Sequence, residues 1–127
     1  MKKSLLLVAH GSRRAQSNDE VRALTERVRM SSSSEFTDIE CAFLELSPPT
    51  IPDGLEQLIA RGADHITVLP YFLAAGRHVA EDIPEEVGVT RGAHPDVVIE
   101  IAPYLGTSEA MPQLLLNMLA DSTTAAL

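Results

Sequence analysis

The chain has 127 residues, 45% of them hydrophobic and 22% charged, which is enough for one domain (residues 1–127) with a real core and is the balance of a soluble globular fold. A net charge of −8 argues against nucleic acid, whose phosphates call for Lys and Arg, and against an anionic membrane surface; no apolar run approaches the roughly 20 residues that span a bilayer. The single Cys41 leaves no internal disulfide and fits a reducing cytoplasm as a buried small hydrophobe.

Four apolar runs alternate with four helical patterns. Leu5 to Ala9 is apolar throughout, as a strand covered on both faces should be. The helix after it has Ser17 and Glu20 at capping-box spacing and an apolar face of Val21, Leu24 and Val28. It ends before Ser31–Ser34, a flexible turn rather than a domain linker. The second strand spans about Ile39 to Glu45. Pro48 and Pro49 block its continuation, and Thr50 can cap a helix with Ile51, Leu55, Leu58 and Ile59 inward and Gly62 as its stop. Ile66 to Leu69 is the third strand. A third helical pattern, Val79, Ile83 and Val87, is interrupted or kinked at Pro84. Val97 to Ala102 is the fourth strand. Thr107 or Ser108 then caps a last helix, predicted to turn Met111, Leu114, Leu115, Met118 and Leu119 inward. The order is (βα)4: a four-stranded parallel sheet with helices on both faces, flavodoxin-like in outline. No GxGxxG or Walker loop is present, so an organic nucleotide cofactor lacks its signature.

The residues out of character with a plain core fall at the C-terminal ends of the strands. These are His10-Gly11-Ser12-Arg13, Glu45-Leu46-Ser47-Pro48-Pro49, Pro70-Tyr71-Phe72-Leu73 and Pro103-Tyr104-Leu105-Gly106. In a parallel sheet these ends share one edge, where such folds bind ligands. His10 and Glu45 then face one cleft, and His78 reaches it from the loop through Gly76. Tyr71, Phe72, Leu73 and Tyr104 line it, and Arg13, Arg14 and Arg77 flank it. Gly11 lets another group approach closely. Two imidazoles there can hold a divalent metal or move protons. Each residue has a plainer reading as well. His10 fits a strand-end histidine bonded to a carbonyl, His78 a helix start, Glu45 a solvated carboxylate, and the arginines surface ion pairs. His65 lies at the opposite sheet edge, and His94 reads as a turn residue before the fourth strand.

Val8-Ala9-His10-Gly11-Ser12-Arg13, Phe43-Leu44-Glu45-Leu46-Ser47-Pro48-Pro49 and, most specifically, Leu69 through Pro84 with its Gly76-Arg77-His78 core resemble the short-form sirohydrochlorin chelatases. These are the cobaltochelatase and ferrochelatase group of class II chelatases, and the match covers essentially the whole chain. The resemblance implies a chelatase-like fold and ATP-independent insertion of a divalent metal into a sirohydrochlorin-type tetrapyrrole, in cobalamin or siroheme biosynthesis. It implies a homodimer that mimics the two halves of longer enzymes, and no organic cofactor. His10 and His78 correspond to the metal-binding, catalytic histidines, with Glu45 in the metal or proton pathway. The metal is a substrate: Co2+, with Ni2+ or Fe2+ also suited, because imidazole serves them alike. Gly11, Ser12, Arg13, Phe72, Leu73, Gly76 and Arg77 are the expected substrate contacts. Arg13 and Arg77 suit the carboxylates of sirohydrochlorin.

Two other functions compete. A histidine-nucleophile phosphatase also places His-Gly after its first strand, but it needs Arg immediately before that histidine, and Ala9 stands there. A non-catalytic metal or tetrapyrrole carrier would keep the same residues.

Overall fold

The computed structural model describes residues 2–31 and 35–126, the side chains as far as residue 120. Four strands, β1 (Lys3–Ala9), β2 (Asp38–Phe43), β3 (His65–Pro70) and β4 (Val98–Ile101), alternate with four α-helices, α1 (Ala15–Ser31), α2 (Ile51–Ala60), α3 (Ile83–Ala93) and α4 (Met111–Ala126). The strands form one parallel sheet in the order β2-β1-β3-β4. The chain therefore leaves β1 toward one sheet edge and later returns to build toward the other. The switch point falls between β1 and β3, and a doubly wound sheet binds ligands just beyond the C-terminal ends of those strands.

Alternate residues of each strand face opposite layers. Leu6, Val8, Ile66 and Val68 are fully buried against Ile51, Leu55 and Leu58 of α2 and Ile83 and Val87 of α3. Each such side chain stabilises the fold by about 1.5–3 kcal/mol relative to exposure. On the other face Leu7, Ala9, Cys41 and Phe43 pack with Val21 and Leu24 of α1, so Cys41 is the buried small hydrophobe expected of it. Gly54 brings α2 close to the sheet, because a Cβ there would lie 3.1 Å from Leu6 Cδ1 and 3.2 Å from Ala42 Cβ.

The Thr50 cap forms as predicted, its hydroxyl accepting from Asp53 N at 3.2 Å. Gly62 stops α2 with a positive φ of 99°. Three local expectations are corrected. Helix α1 begins at Ala15, so Ser17 lies inside its first turn and the Ser17/Glu20 box does not form; Ser12 Oγ accepts from Arg14 N at 3.0 Å just ahead of it. Strand β2 ends at Phe43 rather than Glu45, because Leu46 turns the chain in the left-handed region at φ 68°. Of the predicted inward face of α4 only Met111 is partly buried; Leu114, Leu115, Met118 and Leu119 keep between 49% and 64% of their surface, and Leu116 is exposed as well. An apolar stripe records that a face wants cover, and among the described residues little covers these leucines. The predicted Ser31–Ser34 turn starts at the end of α1, and residues 32–34 lie outside the described residues.

Candidate active site

The first histidine is placed by the sheet. Hydrogen bonding between the first two strands continues past their ends, with Leu44 N donating to Ala9 O at 3.0 Å and Glu45 N to His10 O at 3.1 Å. His10 and Glu45 are thus neighbours by register, and His10 Nε2 lies 3.4 Å from Glu45 Oε1. Gly11 makes this possible. Its φ is +93°, and a Cβ on it would sit 1.8 Å from the Glu45 carbonyl oxygen, so only glycine satisfies both demands. Asn18, buried on α1, then clamps Ser12: its Oδ1 accepts from Ser12 N at 2.9 Å and its Nδ2 donates to Ser12 O at 2.8 Å.

The Glu45 loop is held from the same helix. Arg22 lies over the Phe43 ring, 5.1 Å from its centroid, and donates to Ser47 Oγ at 2.7 Å and Pro48 O at 2.9 Å. Phe43 N donates to Pro49 O at 2.9 Å. The loop so fixed presents Leu46, which is exposed despite its left-handed backbone. That conformation is uncommon for a branched residue and persists where surrounding contacts dictate it.

The second histidine comes from the long connection after β3. Gly106 anchors the base of that loop, its N–H donating to Phe72 O at 3.0 Å and its Cα packed so closely that a Cβ would reach Leu73 O at 1.8 Å. Phe72 packs on the core, Leu73 projects outward, and with Tyr71 and Leu105 they line a small apolar pocket of about 190 Å3. Leu105 takes the place there that was expected of Tyr104. The chain then passes Gly76, whose surroundings are open, and enters a π-helical turn, His78–Asp82, that runs directly into α3. Pro84 is therefore accommodated in the opening turn of α3 rather than kinking it.

The two loops meet. The rings of His10 and His78 stand 4.6 Å apart between centroids, tilted by 45°. His78 Nδ1 is 2.7 Å from Asp82 Oδ2. His78 and Asp82 line a polar cleft of about 220 Å3 with Leu44, Glu45, Glu85 and Glu86. The structure thus brings His10, Glu45 and His78 together with Gly11 at the switch point, and Ser12 borders them. Both rings are about half exposed. Among the described residues, no three His, Cys, Asp or Glu side chains already form a ligand cluster. The donor set is two imidazoles with a carboxylate beside each, Glu45 by His10 and Asp82 by His78, an open shell that can release a metal as well as take it.

The arginines stand apart from this centre. Arg77 is 81% exposed and reaches Glu81 only at 3.5 Å. Arg13 is exposed and pairs with no carboxylate among the described residues. His65 and His94 lie elsewhere, paired with Glu100 at 3.1 Å and Glu56 at 2.7 Å. Sequence reasoning missed Asn18, Arg22 and Asp82. Only Asp82 left a usable signal, four residues after His78 in a helical segment, where two side chains share a face.

A doubly wound parallel domain with a histidine pair at its switch point defines the class. The CbiX family matches residues 4–122, and the chain belongs to that family. A sirohydrochlorin ferrochelatase of Bacillus subtilis (strain 168) is 34% identical over 121 residues, which are 95% of this chain and 46% of that protein. A sirohydrochlorin cobaltochelatase of Saccharolobus solfataricus is 32% identical over 124 residues, 93% of this chain and 94% of that protein. Among solved structures, the sirohydrochlorin chelatase SirB from Bacillus subtilis subspecies spizizenii in complex with cobalt superimposes with a TM-score of 0.83 at 33% identity, covering 95% of this chain and 51% of SirB. The chain spans about half the length of the Bacillus subtilis and Priestia megaterium proteins it matches. No helix of the described residues is long and apolar enough to cross a membrane.

Proposed function

We propose that this chain is a sirohydrochlorin chelatase that inserts a divalent metal into the tetrapyrrole without ATP. Co2+ is the metal in this reading, and Ni2+ or Fe2+ would suit the same ligands. The observation that carries it is the ring-to-ring approach of His10 and His78 across the switch point, with Glu45 against His10. His10 and His78 hold the incoming ion in an incomplete shell. As the ion enters, the ring loses two N–H protons, and a base beside its centre lowers that barrier; Glu45 accepts one, and the other passes to water in the open cleft. The apolar Phe72 and Leu73 offer a flat macrocycle a surface, Gly11, Ser12 and Gly76 let it approach, and Arg13 and Arg77 meet its carboxylates at the rim. The protein works in the cytoplasm, which the single cysteine supports.

A second copy of the chain completes the enzyme in this reading. Two observations support it: the half-exposed histidines, and the uncovered leucine and methionine side chains of α4. An exposed apolar face of that kind marks an interaction site. Sizing in solution tests it: the wild type runs as a dimer and Leu115→Glu shifts it toward monomer, whereas a monomeric wild type contradicts the reading.

The activity is tested by incubating the protein anaerobically with sirohydrochlorin and Co2+, Ni2+ or Fe2+, following the absorption spectrum against a control without protein. Insertion faster than the control, lost in His10→Ala and His78→Ala, is the expected result. Binding of metal or tetrapyrrole without insertion would make the protein a carrier, and wild-type rates in both variants would remove the histidines from the site.

A further inference from the structure

We infer that Asp82 is the positioning residue of His78, fixing its ring and its tautomer so that Nε2 carries the free lone pair. What that lone pair binds rests on the chelatase reading above; the tautomer is a property of the chain alone.

The geometry is direct. His78 Nδ1 and Asp82 Oδ2 are 2.7 Å apart, a good hydrogen-bond length. An ionised carboxylate only accepts, so in the neutral imidazole the proton sits on Nδ1 and the lone pair on Nε2. The reverse tautomer would set two lone pairs against each other at that distance. A histidine that binds metal through one nitrogen commonly donates its other N–H to a carboxylate in this way, which fixes the ring and makes the ligand nitrogen more basic.

Asp82 has no competing task in the fold. It stands immediately before α3, where a carboxylate often caps free N–H groups. Here its own backbone is helical (φ −69°, ψ −42°), the π turn runs through it, and its side chain caps nothing. Nor does the pair stabilise much, since both side chains are about a third to a half exposed, and ion pairs of that exposure contribute little. Asp82 lines the same polar cleft as His78 and Glu45. His10 offers the contrast: its contact with Glu45 is 3.4 Å, too long to fix its tautomer.

The test reads the tautomer before any activity. Long-range 1H–15N correlation spectra of histidine-labelled protein, taken well above the ordinary imidazole titration range, show the proton position on each of the four rings, with His78→Gln assigning the signals. The wild type should show His78 protonated on Nδ1. Asp82→Asn, whose amide oxygen still accepts, should keep that pattern, and Asp82→Ala should shift the proton to Nε2, the form preferred by a free imidazole. Co2+ absorption titrations should then weaken by about 10- to 100-fold in Asp82→Ala and by less in Asp82→Asn, with melting temperatures within about 4 °C of the wild type. A wild-type His78 protonated on Nε2, or an Asp82→Ala protein that keeps the Nδ1 proton, overturns the inference. If the tautomer and Co2+ affinity move as stated while the wild type inserts no metal into sirohydrochlorin, the chelatase reading fails and the role of Asp82 stands.

Discussion

The two histidine loops are built in opposite ways. The His10 loop is locked into the sheet: strand pairing continues through it, Gly11 presses on the Glu45 carbonyl, and Asn18 grips Ser12 with two hydrogen bonds. The His78 loop is anchored only at its base, by Gly106 on Phe72 and Leu73, and then crosses open ground at Gly76. Its histidine is held from within its own turn, by Asp82. One histidine is positioned by tertiary register and the other by a local pair on a more exposed segment. In the proposed chelatase reading, one fixed and one adjustable histidine serve a site that takes an ion from solution and passes it to a macrocycle.

That contrast can be broken at chosen points. The largest effect is expected of Gly11→Ala. A Cβ 1.8 Å from the Glu45 oxygen forces the two loops apart, at a cost of about 3 kcal/mol or more in urea unfolding. The resulting shift of His10 and Glu45 should lower metal insertion by about 100-fold; a variant with wild-type stability would show that the loops are not locked. Asn18→Ala comes next. It strips both partners from the Ser12 backbone and should cost about 2 kcal/mol by the same measurement. Gly76→Ala is the counterpart in the loose loop. A Cβ there meets nothing within 4 Å, so its stability should stay within about 0.5 kcal/mol of the wild type. A large loss at Gly76 would mean that the second loop is as constrained as the first.

How much of this was legible depends on what each residue must know about its neighbours. The strands could be read because Leu5 to Ala9 and Ile66 to Leu69 are apolar runs bounded by turn residues, a local signal. The shared edge of His10 and Glu45 followed from parallel strands alone. Their contact needed the sheet order β2-β1-β3-β4, which no local pattern states. Asn18 and Arg22 looked like ordinary polar helix residues, since their partners lie in loops that the helix meets only in the fold. The exposed backbone strain at Leu46 left no trace in composition. Helix α4 was misread for a different reason: its leucines announce an apolar face, and the sequence cannot say whether its own sheet or another molecule covers it.

In the chelatase reading, the two independently built loops form one site. A double-mutant cycle on the rate of metal insertion tests it most directly, using His10→Ala, His78→Ala and the pair together. If the two imidazoles act on one ion, each single variant should lose nearly as much rate as the double, because groups that work as a unit are strongly non-additive. Losses that simply multiply in the double variant would mean that the histidines act separately and would contradict a shared site.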